Sequence, residues 1–120
     1  MLVDDEPALV RVGKLMLDRL GFVVEVFTDS SRAWEAFAAN PDSYDLVISD
    51  QTMPRLTGLE LATRMLRSRP DLPIILATGY HPSPSPGRVR EAGVAELLMK
   101  PFSLETLTNA IRTVLGPTAA

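Results

Sequence analysis

The chain has no cysteine, one histidine, one tryptophan and only 6% aromatic residues. Without cysteine, disulfides, thiol catalysis and thiolate metal sites are excluded, and the lone His81 cannot supply a multi-histidine one. Long apolar runs are also missing. The longest, such as Leu20 to Val24 and Ile74 to Ala77, fall far short of a membrane span, and no basic region followed by an apolar stretch opens the chain. Neither membrane insertion nor export is expected, and a cytoplasmic location is the corresponding expectation. Twelve Lys and Arg against fifteen Asp and Glu leave a net charge of −3, so direct binding of nucleic acid is not expected either. What remains, at 46% hydrophobic and 22% charged residues, is the balance of a folding globular chain, and 120 residues suit one domain.

Apolar runs and helical periodicities alternate along that domain. Met1 to Val3 reads as a strand end, Asp4-Asp5-Glu6 as an acidic loop, and Leu9, Val12, Met16 and Leu20 as one face of a helix that Pro7 opens and Gly21 stops. Phe22 to Phe27 reads as the second strand, followed by a helix carrying Ala33, Trp34 and Phe37, with Ser30 or Ser31 as its cap. Asp45 to Ser49 is a continuous apolar strand that delivers Asp50. Thr57 and Glu60 form a capping-box signature for a third helix closed by Pro70, and Pro73 to Ala77 forms a fourth strand ending at Thr78. Residues 79 to 87 are crowded with Pro82, Pro84, Pro86 and two glycines, so the helix after them, around Arg88 to Ala92, is expected to be short or irregular. Ala95 to Met99 is the fifth strand, ending at Lys100-Pro101, and Ser103 caps a final helix through Leu107, Ile111 and Val114. Five strands alternating with five helices predict an α/β, doubly wound parallel sheet with helices on both faces.

Ligands of such sheets bind beyond the carboxyl ends of the strands. Asp4 and Asp5 follow the first strand, Asp50 the third, Thr78 the fourth and Lys100 the fifth. Singly, each has a bland reading as loop charge, helix-start charge or turn residue. Jointly, they place three carboxylates, a hydroxyl and an ammonium together. Clustered carboxylates repel one another, and a hard divalent cation relieves them; an oxygen-only set fits Mg²⁺, with Mn²⁺ as the alternative. Lys100 and Thr78 can each hold a phosphoryl oxygen, and an aspartate nucleophile in the central position of Asp50 is a route to an acyl phosphate. Trp34, Phe37 and the methionines read as core, and His81 as a solvated loop residue.

The segments Met1-Leu2-Val3-Asp4-Asp5-Glu6-Pro7, Asp45 to Pro54 with Thr57-Gly58-Leu59-Glu60, Ala77-Thr78-Gly79-Tyr80 and Leu98-Met99-Lys100-Pro101-Phe102 resemble the response-regulator receiver domain of two-component signalling, across essentially the whole chain. The resemblance implies a flavodoxin-like receiver fold over residues 1–120. It further implies that Asp50 accepts a phosphoryl group from a phosphohistidine on a histidine kinase or histidine phosphotransfer domain. Asp5, Asp50 and the backbone carbonyl of Thr52 would ligate Mg²⁺, with Asp4 acting through a water. Lys100 would pair with the phosphoryl group, Lys100-Pro101 would be a cis peptide, and Thr78, Gly79, Tyr80 and Leu97 would mark the switch that follows phosphorylation.

Three departures from that family stand out. The first strand is short, as if truncated at its start. Leu97 stands where an aromatic residue is common, so the usual coupling of that aromatic to Thr78 is not expected. The prolines at 82, 84 and 86 fall where the family begins its fourth helix, which puts the common dimer through that face in doubt. Asp50 to Pro54, Ala77 to Tyr80 and Leu97 to Phe102 are most similar to receivers at the C-terminal end of hybrid sensor histidine kinases; a stand-alone single-domain regulator is the alternative. A Mg²⁺-dependent phosphatase with an aspartate nucleophile is the enzyme reading, disfavoured because Thr52 stands where a second carboxylate would serve as acid and base. The chain is therefore expected to be a signalling phosphoacceptor rather than an enzyme acting on external substrates. Oligomeric state is left open by the sequence.

Overall fold

A computed structural model describes residues 1–79 and 85–116. Its elements are β1 (Leu2–Val3), α1 (Pro7–Arg19), β2 (Val26–Phe27), α2 (Ser30–Ala39), a 3-10 turn at Pro41–Ser43, β3 (Val47–Asp50), α3 (Gly58–Ser68), β4 (Ile74–Thr78), α4 (Pro86–Glu91), β5 (Glu96–Met99) and α5 (Leu104–Leu115). The five strands form one parallel sheet in the order β2-β1-β3-β4-β5. That order reverses direction between β1 and β3, which is where the open crevice of a doubly wound sheet lies.

Strand alternation sorts the core into two layers. Val3, Val47, Ile74 and Leu76 point to one face and pack with Phe37 of α2, Leu61 and Met65 of α3 and Val89 of α4. Leu2, Ile48, Ile75 and Leu98 point to the other and pack with Leu17 of α1 and Leu107 and Ile111 of α5. Each of the central strands is thus apolar on both faces, and its continuous run of hydrophobic residues must stop where the layers stop. Polar residues, Asp4, Asp50 and Thr78, stand at that edge of the layers.

Local structure departs from the sequence reading at the second strand and at the cap of α2. The second strand is confined to Val26–Phe27, since β1 offers only Leu2 and Val3 as partners; the Glu25 carbonyl still accepts from the Leu2 amide at 2.9 Å, residues 22–24 lie beyond that two-residue ladder, and Val23 is fully exposed. Helix α2 is capped by Asp29, whose carboxylate accepts from the Ser31 amide at 2.9 Å; Ser30 and Ser31 are its first residues. Helix α3 ends at Ser68, two residues before Pro70. That fits the exclusion of the residue before proline from helical backbone. Elsewhere the expected punctuation is present: Pro7 opens α1, Gly21 has φ 91, Thr57 and Glu60 make a complete capping box, and Ser103 caps α5. Helix α4 is six residues long, with Pro86 in its first turn and Ser85 as cap. Tyr80, His81, Pro82 and Pro84 lie outside the described residues. Among the described residues no helix is long and apolar enough to cross a membrane.

Candidate functional site

The carboxyl ends of β1, β3, β4 and β5 bring the expected polar residues to one place. Asp4 follows β1 directly, Asp50 ends β3, Thr78 ends β4 and Lys100 follows β5. Side-chain oxygens of Asp4, Asp5 and Asp50 lie within 4.8 Å of one another. The Lys100 Nζ donates to Asp4 Oδ2 and to Asp50 Oδ1, both at 2.9 Å, so the ammonium bridges two strands that do not neighbour its own. Asp4, Asp50 and Thr78 are buried, whereas Asp5 is exposed and makes no ion pair among the described residues.

The three acids are held differently. Asp4 is occupied twice, accepting from the Glu6 amide at 3.0 Å through Oδ1 and from Lys100 through Oδ2. Asp5 faces solvent, and Asp50 sits at the bottom of the cluster. Burial pushes the Asp50 carboxyl above its ordinary range; the Lys100 hydrogen bond pulls it back, and the charges of Asp4 and Asp5 push it up further, leaving a net rise. Burial also opposes the Lys100 charge, but the hydrogen bonds and charges of Asp4 and Asp50 prevail and hold the ammonium above its usual range. Lys100 is therefore charged, and this one ammonium, in contact with Asp4 and Asp50, stands against three carboxylates. A divalent cation at this cluster would relieve the remaining repulsion, and the set offers only hard oxygen donors, a chemistry that fits Mg²⁺.

The loop after β3 is closed tightly around Asp50. The Gly58 amide donates to the Gln51 carbonyl at 3.0 Å, and the Gln51 side chain accepts from the Leu59 amide at 2.8 Å, capping the start of α3. A Cβ on Gly58 would stand 2.3 Å from the Asp50 carbonyl oxygen and 2.5 Å from Leu76 Cδ1, so only glycine lets α3 begin this close to the end of β3. Thr52 is exposed in this loop, two residues beyond Asp50. Sequence reasoning gave Gly58 no structural role; the signal available was a glycine directly after the capping threonine.

The remaining expected residues are distributed around this centre. Asp50 stands level with Ala77 in the β3–β4 register, which puts Thr78 one residue further out on the neighbouring strand, and the Lys100 amide donates to the Thr78 carbonyl at 2.7 Å. Gly79 faces open space, with nothing within 4 Å of where a Cβ would be. Leu97 is half-buried and packs against the core layer of α2, α3 and α4. Lys100-Pro101 is a cis peptide. Tyr80, the last of the expected switch residues, lies outside the described residues. Beside Asp4, Asp50 and Lys100 runs an apolar groove of about 170 Å³, lined by Leu9, Val12 and Met16 of α1 and by Phe102.

Comparison with known proteins places this arrangement in a family. Residues 1–112 match the sequence profile of the response regulator receiver domain. The chain is 33% identical over 111 residues to the C4-dicarboxylate transport transcriptional regulatory protein DctD of Rhizobium meliloti, covering 92% of this chain and 24% of that protein. It is 32% identical over 114 residues to the transcriptional regulatory protein FixJ of Bradyrhizobium diazoefficiens, covering 95% of this chain and 55% of FixJ. The chain thus spans between a quarter and about half the length of these relatives. Among solved structures, a response regulator receiver domain protein from Clostridium thermocellum superposes with a TM-score of 0.90 at 26% identity, covering 98% of this chain and 94% of that one. The chemotaxis protein CheY4 of Vibrio cholerae gives 0.84 at 27% identity, with 94% of each chain covered. Strand order, acidic cluster and sequence agree: the chain belongs to the family of response regulator receiver domains.

Proposed function

We propose that the chain is the phosphoacceptor of a two-component phosphorelay and that Asp50 is the residue modified. The observation that carries this reading is the convergence of Asp4, Asp5 and Asp50 within 4.8 Å, with Lys100 paired to two of them. Mg²⁺, or Mn²⁺ in its place, would be held by Asp5, Asp50 and the Thr52 carbonyl, with Asp4 acting through a water. The cation neutralises charge on the transferring phosphoryl group. An Asp50 carboxylate oxygen attacks phosphorus, the bond from phosphorus to the donor's imidazole nitrogen breaks, and its electron pair returns to the ring. Lys100 then exchanges its contact with Asp50 for a phosphoryl oxygen, and the Thr78 hydroxyl donates to another. These new contacts bias two conformations of the segment carrying Thr78, Gly79, Tyr80 and Leu97.

The donor in this reading is a phosphohistidine on a histidine kinase or phosphotransfer domain, met in the cytoplasm. Support for a protein donor comes from the apolar groove at the acidic cluster and from Leu9 and Val12, which are exposed on α1 beside it. The relatives named above are transcriptional regulators, so the C-terminal hybrid-kinase context is supported only by motif similarity; a regulator with its own output, or a stand-alone one, is the alternative. Turnover of external phosphomonoesters is not expected, since Thr52 offers no acid or base beside Asp50.

Intact-mass measurement after incubation with Mg²⁺ and acetyl phosphate tests the reading. One base-labile phosphoryl group on the wild type, absent from Asp50→Asn and absent without a divalent cation, is the expected result. Modification of Asp50→Asn to the same extent, or none of the wild type, would overturn it.

A further inference from the structure

The loop that follows Asp50 is tied down at a second place, on residues 54–56. Ser30, the first residue of α2, is buried, with 2% of its surface exposed. Its hydroxyl donates to the Pro54 carbonyl at 2.9 Å and accepts from the Leu56 amide at 3.2 Å. One side chain from α2 thereby satisfies two backbone groups on either side of Arg55. Arg55 itself has φ 70, a left-handed conformation that costs any residue with a Cβ. Its guanidinium nitrogen Nη1 lies 2.9 Å from Asp29 Oδ2 and 3.1 Å from Ser31 Oγ, while Asp29 Oδ1 accepts from the Ser31 amide and hydroxyl. Asp29, Ser30 and Ser31 thus grip residues 54–56 across 24 to 26 positions of sequence. A strained residue held by two side chains, with a third fixing the backbone on either side of it, is one whose surroundings determine its conformation.

This grip has no part in the chemistry described above. The segment it holds lies within a loop whose two ends are joined by the Gly58 amide and the Gln51 carbonyl, and Thr52 lies between Gln51 and that segment. We propose that Ser30 and the Asp29–Arg55 pair are positioning residues for the acidic site: they hold the 51–57 loop in the one shape that presents the Thr52 carbonyl to a cation on Asp5 and Asp50. This rests on the proposed function, because it assumes that the cation binds there. Flexible backbone would have to be ordered each time the cation bound; a loop held in place in advance avoids that cost. Removing a partner that orients a metal ligand typically weakens metal affinity by about tenfold or more.

Calorimetric titration of the intact chain with Mg²⁺ alone, with melting in chelator measured alongside, tests this. Ser30→Ala leaves the Pro54 carbonyl and Leu56 amide without their partner, and the expected result is a Mg²⁺ dissociation constant raised by about tenfold. Phosphoryl uptake at saturating Mg²⁺ should return to the wild-type rate, since Asp50 and Lys100 are untouched. Arg55 is largely exposed, and Arg55→Gly relieves the left-handed backbone while deleting the ion pair; its melting temperature in chelator should not fall, yet its Mg²⁺ affinity should drop by about threefold, the scale of one exposed pair. Arg55→Lys, which keeps the charge, should recover part of that loss. Wild-type Mg²⁺ affinity in Ser30→Ala and Arg55→Gly would overturn the positioning role and leave the phosphoacceptor reading standing. Absence of Mg²⁺ binding to the wild type itself would overturn both.

Discussion

The two ends of this sheet differ in a way that volume alone would misjudge. At the amino ends of the strands, between β2 and β3, lies the larger cleft, about 380 Å³, lined by Met1, Phe22 to Glu25 and Ser43 to Leu46. Two of its polar groups are already matched: the Met1 amine donates to the Leu46 carbonyl at 3.0 Å, and the Tyr44 hydroxyl donates to Glu25 at 3.1 Å. The groove at the carboxyl ends is smaller, about 170 Å³, yet two buried carboxylates, Asp4 and Asp50, and the half-buried Lys100 ammonium that bridges them meet there. Burial normally removes such groups; at this end they are kept, with an aspartate whose ionised form is disfavoured by its surroundings. Convergent charge marks the site, and cavity size does not.

Asp50→Asn sharpens this contrast most, since it should abolish phosphoryl uptake in the intact-mass assay while leaving the fold intact. Gly58→Ala comes next. The added methyl collides with the Asp50 carbonyl and Leu76, and overpacking of this kind costs about 1–3 kcal/mol, measurable as a lowered midpoint in urea. The pH dependence of stability gives a third and subtler test. Because the folded-state pKa of Asp50 is raised, its contribution to stability is fully present below the unfolded carboxylate value and is lost as pH rises through the folded value. Without a divalent cation, the wild type should therefore lose stability relative to Asp50→Asn between mildly acidic and neutral pH, with Mg²⁺ reducing the difference. Melting curves that run parallel for the two proteins would break the argument. The smallest effect is expected at the other end: Tyr44→Phe removes one hydrogen bond, worth about 1 kcal/mol or less, and should not alter phosphoryl uptake.

How much of this was legible beforehand follows from the range of each interaction. Asp50, Thr78 and Lys100 could be read because an apolar run must end where the covering helices end, so strand termini announce themselves. The capping box at Thr57 and the cap at Ser103 are spelled within four residues. The cap of α2 was misread because Asp29, Ser30 and Ser31 are all competent caps, and which of them takes the role depends on a loop 24 residues away that engages Ser30. The second strand was read too long for a related reason: residues 22–24 have strand-like side chains, but a strand exists only where β1 supplies a partner. Neither the bridging of Asp4 and Asp50 by one lysine nor the grip on residues 54–56 has a sequence signature, since both depend on contacts set only by the finished fold.

The central claim is that the chemistry of this chain resides at the carboxyl ends of its strands, and a crystal structure grown with Mn²⁺ and beryllofluoride tests it most directly. The account predicts an anomalous scattering peak within bonding distance of Asp5 and Asp50, and a beryllofluoride group on Asp50 with Lys100 turned toward a fluorine. Mn²⁺ in the cleft between β2 and β3, or an unmodified Asp50 still paired with Lys100 in that crystal, would contradict it.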